Sequence, residues 1–199
     1  MNLLPLTELE AVNFLLETIG ESPVNSLVVS GVSEVSIAQS ILHNTSRNHQ
    51  ARGWFYNTEY LYPLPLDSNG EVPLPSNALQ VDPTDNTKKY TTRGSRLYDL
   101  TNHTYVFTES PKVDIVFFLA FDELPQAARN YVTVAAAREF QRKVVGSDTL
   151  NKITEEEEGK ALTLLMDLES DYSDSSIFDS YSVQRPIMRY SNPYPVGGR

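Results

Sequence analysis

The chain has 199 residues, 40% of them hydrophobic, with twelve prolines and no cysteine, which suits one domain or a domain carrying an insertion. Lack of cysteine rules out disulfides and thiolate metal sites, and the longest apolar run, residues 115–121, is too short to cross a bilayer. A net charge of −10 argues against a general grip on nucleic acid, for which basic domains are the rule.

The N-terminus has no basic region followed by an apolar run, so a soluble chain with neither signal peptide nor membrane anchor is expected. The first helix is predicted from about Glu8 to Ile19. Thr7 and Glu10 have the spacing of a capping box, and Leu9, Val12, Leu16 and Ile19 share one face. Gly20 ends this helix and Pro23 blocks its resumption. A second helix is predicted over 33–52, with Ile37, Ala38, Ile41, Leu42 and Thr45 in helical period. Gly53 suits a left-handed cap. Trp54, the only tryptophan, then heads a β-prone aromatic run and reads as a buried anchor where a helical layer meets a sheet.

From residue 54 to about 120 the period changes, and prolines 63, 65, 73, 75, 83 and 111 exclude a long helix. Asp67-Ser68-Asn69-Gly70 is a turn signal between expected strands at 60–66 and 71–74. Further short strands are expected at 90–92, 96–98 and 104–107, with a turn at 101–103, and a buried strand at 113–120. Together they make a small, mostly antiparallel sheet or barrel with proline-marked edges.

Helix three is expected to start near Leu124-Pro125, with Ala128, Val132, Ala136, Phe140 and Val144 at i+4 and Tyr131 and Ala135 widening the face. Gly146 ends it, and Ser147 caps helix four, which reaches about Tyr172 with Leu150, Ile153, Ala161, Leu164, Leu165 and Leu168 as its stripe. Gly159 sits inside that helix at a cost of about 1 kcal/mol relative to alanine. Residues 173–176 read as a linker. The fold class expected is α+β: a four-helix bundle (1–53 and 121–173), a β module (54–120) inserted between helices two and three, and an extended C-terminal arm (174–199). The arm is rich in aromatic and Arg residues, which are common interface anchors: Tyr181, Arg185, Ile187, Met188, Arg189, Tyr190 and Tyr194 are its candidate contacts.

Charge is unevenly spread. Residues 88–152 hold ten bases and seven acids, whereas 153–174 hold eight acids and one base. Glu155, Glu156, Glu157 and Glu158 are consecutive, so they point about 100° apart and do not converge on one substrate atom; Glu156 and Lys160 have i, i+4 spacing. His43 and His49 are six apart and face different sides of their helix, unlike an i, i+4 zinc pair. There is no Gly-x-Ser-x-Gly elbow and no glycine-rich phosphate loop. Asp122 and Glu123 precede helix three, where carboxylates favour the helix dipole. No catalytic residue, cofactor or metal ligand is assigned.

Several blocks occur in an order and spacing that carry a resemblance: Leu9-Glu10-Ala11-Val12-Asn13, residues 19–27, Ala38 with Ile41 and Leu42, Arg52-Gly53-Trp54, Arg93-Gly94, Leu97-Tyr98-Asp99, residues 121–125, Ala137-Arg138-Glu139-Phe140 and the four glutamates. Over roughly residues 6–180 the chain resembles the tail tubular protein A family of short-tailed bacteriophages. The resemblance implies a virion protein that is not an enzyme. It implies a ring of identical subunits, twelve-fold, joining the portal protein to the tail nozzle (tail tubular protein B). Such a ring seals the head after packaging and forms part of the DNA ejection channel. Phage DNA then passes through without specific binding, and the four glutamates are channel-lining candidates. The alternatives are a virion-associated carbohydrate-binding or glycan-hydrolysing tail protein, for which the Tyr-rich β module is the cue, and a cellular helical scaffold unrelated to phage.

Overall fold

The structure, a computed structural model, describes residues 5–28, 33–146 and 148–179. Its first helix, α1 (Glu8–Glu17), begins as the sequence requires. The Thr7 hydroxyl accepts from the Glu10 N–H at 3.3 Å, and the Glu10 carboxylate accepts from the Thr7 N–H at 2.9 Å. These bonds hold the Glu10 carboxyl below its ordinary range. Ala11, Val12, Leu15 and Leu16 form the buried face. In α2 (Ser33–Gln50) the buried apolar residues are Val35, Ala38, Ile41 and Leu42, while Ile37 is exposed. The helix thus turns a slightly different edge inward than its period suggested.

A stretch of strands follows. β1 (Thr58–Pro63), β2 (Ala78–Pro83) and β5 (Lys112–Phe117) make one antiparallel sheet in the order β1-β5-β2. β3 (Tyr90–Arg93) and β4 (Arg96–Asp99) make a separate antiparallel hairpin turned at Gly94, whose φ is +63°. The expected turn forms at 67–70: the Asp67 carboxylate accepts from the N–H groups of Asn69 and Glu71 at 2.8 and 2.9 Å. Residues 71–74 and 104–107, expected as strands, contribute only single bridges, Glu71 with Val106, Pro73 with Arg96 and Asp99 with Thr104. Pro73 and Pro75 remove the ladder donors that a longer strand would need. Leu64, Val72, Val81, Leu97, Phe107, Val113 and Ile115 form a hydrophobic core of their own.

A short 3₁₀ turn (Phe121–Glu123) leads into α3 (Gln126–Val144). Ala128, Val132, Ala136 and Phe140 are all buried, as their i+4 spacing predicted, whereas Val144 is exposed. The buried Arg129 guanidinium donates to the carbonyls of Leu6, Leu124 and Asp122, tying three chain segments together. α1, α2 and α3 pack on one another, but α4 (Asp148–Asp179) packs chiefly on α3. The fold is therefore α+β with four helices and small antiparallel sheets. The helices are not four equal members of a bundle, and the strands do not close into one barrel.

α4 is longer than expected. It runs through 173–176, read above as a linker, and at about 1.5 Å per residue its 32 residues span roughly 48 Å. Ser and Asp cost a helix only tenths of a kcal/mol each, and neither Gly nor Pro interrupts the chain between Gly159 and Pro186. The arm residues Tyr181, Arg185, Ile187, Met188, Arg189, Tyr190 and Tyr194 lie outside the described residues.

Candidate functional site

The helical layer meets the sheet at Trp54, which is 7% exposed and packs with Phe121 in the larger hydrophobic core. Gly53 turns the chain there with φ +74°. A Cβ at that position would lie 3.2 Å from Val116 and 3.3 Å from Thr58, so glycine also answers a steric need. The Trp54 indole N–H donates to the His49 carbonyl at 2.9 Å. His49 lies between Trp54 and Tyr131, each ring centroid 4.6 Å away. Burial, reinforced by the nearby Arg52 charge, lowers the His49 pKa to about 4, so the ring is neutral at ordinary pH.

Two amides complete this junction. The side chain of Gln50 exchanges hydrogen bonds with the backbone of Leu119: its Nε2 donates to the carbonyl at 3.0 Å and its Oε1 accepts from the N–H at 2.8 Å. Asn57 donates to the carbonyls of Gln50 and Phe117 at 3.0 and 2.8 Å, and accepts from the Trp54 N–H at 2.8 Å. A helix end, a turn and a strand end thus share buried polar partners, which fixes their relative orientation. Sequence reasoning found the tryptophan and the glycine but missed both amides. An Asn three residues after the indole was the available signal for a side-chain-braced turn.

The acidic run lies on α4 against α3. Glu155 and Glu158, three apart and so on one side of the helix, both approach Arg138 of α3, at 3.4 and 2.8 Å. The Glu158 hydrogen bond, with the two carboxylate charges, raises the Arg138 pKa against the opposing effect of burial. Two of the four glutamates thus share a structural cation. Glu156 pairs with Lys160 at 2.7 Å, as its spacing predicted, and Glu157 is exposed. At its far end α4 reaches the junction. Glu169 accepts from the Phe55 N–H at 3.1 Å, and Tyr172 stacks on Phe55 with centroids 4.8 Å apart.

The inward side of α4 buries Ala161 and Leu165 completely or nearly so. Its outward side leaves Leu164 61% and Leu168 37% exposed, although both belong to the apolar stripe read from the sequence. Met166 is exposed as well. Leu150 and Ile153, the start of that stripe, fall where no side chain is described.

The remaining candidates are accounted for locally. His43 contacts Glu8 at 2.8 Å, and His103 sits in a turn with φ +55°. Glu123 accepts from the Ala120 N–H at 2.9 Å, consistent with a role in starting the turn before α3. A cleft of about 730 Å³ in the β module is lined by Asp85 and Asp99 among others. The Asp99 carboxylate is occupied by the N–H groups of Thr101 and Asn102 and the Asn102 amide, at 2.7–3.0 Å. Asp85 accepts from Thr87 at 2.7 Å. Both carboxylates are taken up in bracing local turns. Among the described residues no three His, Asp or Glu side chains group as metal ligands, and no helix is long and apolar enough to cross a membrane.

A family model described as "tail tubular protein" matches residues 9–175. The chain is also 30% identical over 161 residues to "Tail tubular protein A" of Klebsiella phage KP34, an alignment that covers 80% of this chain and 86% of that one.

Proposed function

Because this chain belongs to the tail tubular protein family and is thus a component of a phage tail, we propose that it is a structural subunit, without catalytic activity, of an adaptor ring between portal and tail nozzle. The ring is twelve-fold, surrounds the DNA ejection channel and uses no cofactor. The observation that carries this reading is the outward side of α4, where Leu164 and Leu168 lie exposed one turn apart on one long helix. A solvated helix face ordinarily carries polar residues, so a row of large apolar ones marks a surface covered on assembly. A closed ring needs a heterologous contact, one surface of each subunit meeting a different surface of the next.

The helical part (1–53 and 121–173) then acts as the rigid body, and the β module (54–120), with its own core, projects as an inserted unit. Of the four glutamates, Glu157 is the one left to face a channel, since Glu155 and Glu158 are held by Arg138 and Glu156 by Lys160. An acidic wall lets DNA slide past, because basic walls would bind the polyanion through counterion release. The arm, with Tyr181, Arg185, Ile187, Met188, Arg189, Tyr190 and Tyr194, anchors the ring to the portal. Negative-stain microscopy of the purified protein mixed with portal tests the proposal. Rings seated on portal, lost when residues 180–199 are deleted, are expected. Portal particles that stay bare with the full chain would refute it.

A further inference from the structure

A groove of about 410 Å³ runs along α3 between the end of α2 and the start of the acidic run on α4. Its floor is Tyr131, Arg138 and Arg142, and its α2 wall is Thr45, His49 and Arg52. Arg138 is held by Glu155 and Glu158. Arg52 lies over the Trp54 ring at 5.8 Å, and neither Arg52 nor Arg142 has a carboxylate partner among the described residues. Two buried polar atoms among the lining residues, Thr45 Oγ1 and His49 Nε2, also lack a hydrogen-bond partner. The groove thus offers two guanidinium groups, those of Arg52 and Arg142, to carboxylates from outside.

The complement lies on the same chain. The outward side of α4 carries Asp167 and Asp171, one turn apart and exposed, beside Leu164 and Leu168. Neither aspartate has an ion-pair partner among the described residues. Asp171 is thirteen residues beyond Glu158, roughly 20 Å along the helix from the Glu158 end of the groove. A basic groove and a separate acidic, apolar ridge on one chain are the two different surfaces that a head-to-tail ring requires.

Building on the ring reading above, we propose that the α2–α3 groove of one subunit receives the Leu164–Asp171 ridge of the next, with Arg52 and Arg142 meeting Asp167 and Asp171. Planar guanidinium groups suit such a carboxylate contact better than lysines would. The occupant is a second copy, not DNA phosphate: Glu139 and Glu158 also line the groove, and the chain's overall charge of −10 repels a polyanion.

The absence of cysteine makes a direct test available in assembled virions. Particles carrying Arg142→Cys together with Asp171→Cys are treated with a short bis-maleimide, and the copies of this chain per particle are counted on the same gels. A ladder of covalent multimers in the double variant, absent from either single variant, is expected. Several copies per particle with no ladder would overturn the groove contact and leave the ring standing; a single copy would overturn both. Should the double variant fail to enter particles, charge exchange decides. Particle formation lost in Arg52→Glu/Arg142→Glu is expected to return when Asp167→Arg/Asp171→Arg is added, and failure to return overturns the pairing. Retention of duplex DNA by the wild-type protein but not by Arg52→Glu/Arg142→Glu would overturn it in favour of nucleic acid.

Discussion

α3 and α4 are the two arms of one helical hairpin, yet they use their apolar residues in opposite ways. α3 is enclosed by α1, α2 and α4, and its i+4 row from Ala128 to Phe140 is buried throughout. α4 has a comparable apolar stripe but chiefly α3 to cover it, so Leu165 is fully buried while Leu164, its neighbour, is 61% exposed. Similar periodicity thus serves two purposes. In α3 it secures the monomer, and in α4 half of it is left exposed. The same contrast holds for charge: the α4 carboxylates facing α3 are paired with Arg138, and Asp167 and Asp171 on the outward side have no such partner among the described residues.

The sharpest way to break this comparison is at the enclosed end. Trp54→Ala removes a buried indole and its hydrogen bond to His49, and should cost about 3–5 kcal/mol. Thermal or denaturant unfolding of the purified protein reads this loss. A change within about 0.5 kcal/mol, the range of ordinary surface substitutions, would show that the junction does not anchor the helical layer.

His49 gives the next largest effect and a sign. The unfolded chain binds a proton near pH 6.5, but the folded chain resists it until about pH 4. Stability is therefore fully present above pH 6.5 and is lost as pH falls toward 4, by roughly 3 kcal/mol if the whole interval is traversed. The carboxylates add their own acid dependence, so the informative quantity is the difference between wild type and His49→Phe. The variant should lose less stability between pH 6.5 and 4.5; parallel curves would mean that His49 is readily protonated in place.

Gly159 sharpens the comparison at the outward helix. It sits in mid-helix, and a Cβ there would meet nothing within 4 Å. Gly159→Ala should thus stabilise the isolated protein by about 1 kcal/mol, measured as a shift in the unfolding midpoint. A destabilised protein would contradict the open surroundings of this position.

How much was legible in the sequence follows the range of the interactions. The α1 cap and the Gly53, Asp67–Gly70 and Gly94 turns depend on neighbours within a few residues, and the reading found each of them or the strands it joins. The α3 stripe was legible because small and large apolar residues repeat at one spacing. On α4 the stripe was equally visible, but no period says which half a neighbour will cover. β2 went unread because Pro75 and Pro83 frame it and no alternation marks its single buried residue, Val81. Gln50 and Asn57 were invisible for a different reason: their partners, Leu119 and Phe117, lie 69 and 60 residues away, and only the fold brings them together. The Arg138 pairing with Glu155 and Glu158 was hidden by reading the glutamates as four consecutive positions when i, i+3 was the spacing that mattered.

The central claim, that the outward side of α4 is covered in the assembled tail, is tested most directly at Leu164. With no native cysteine, Leu164→Cys supplies a single reporter on the chain, and its rate of maleimide labelling can be compared between the free protein and intact virions. Rapid labelling of the free protein and strong protection in the virion is the predicted result. Equal labelling in both states would show that this face stays in solvent and would contradict the account.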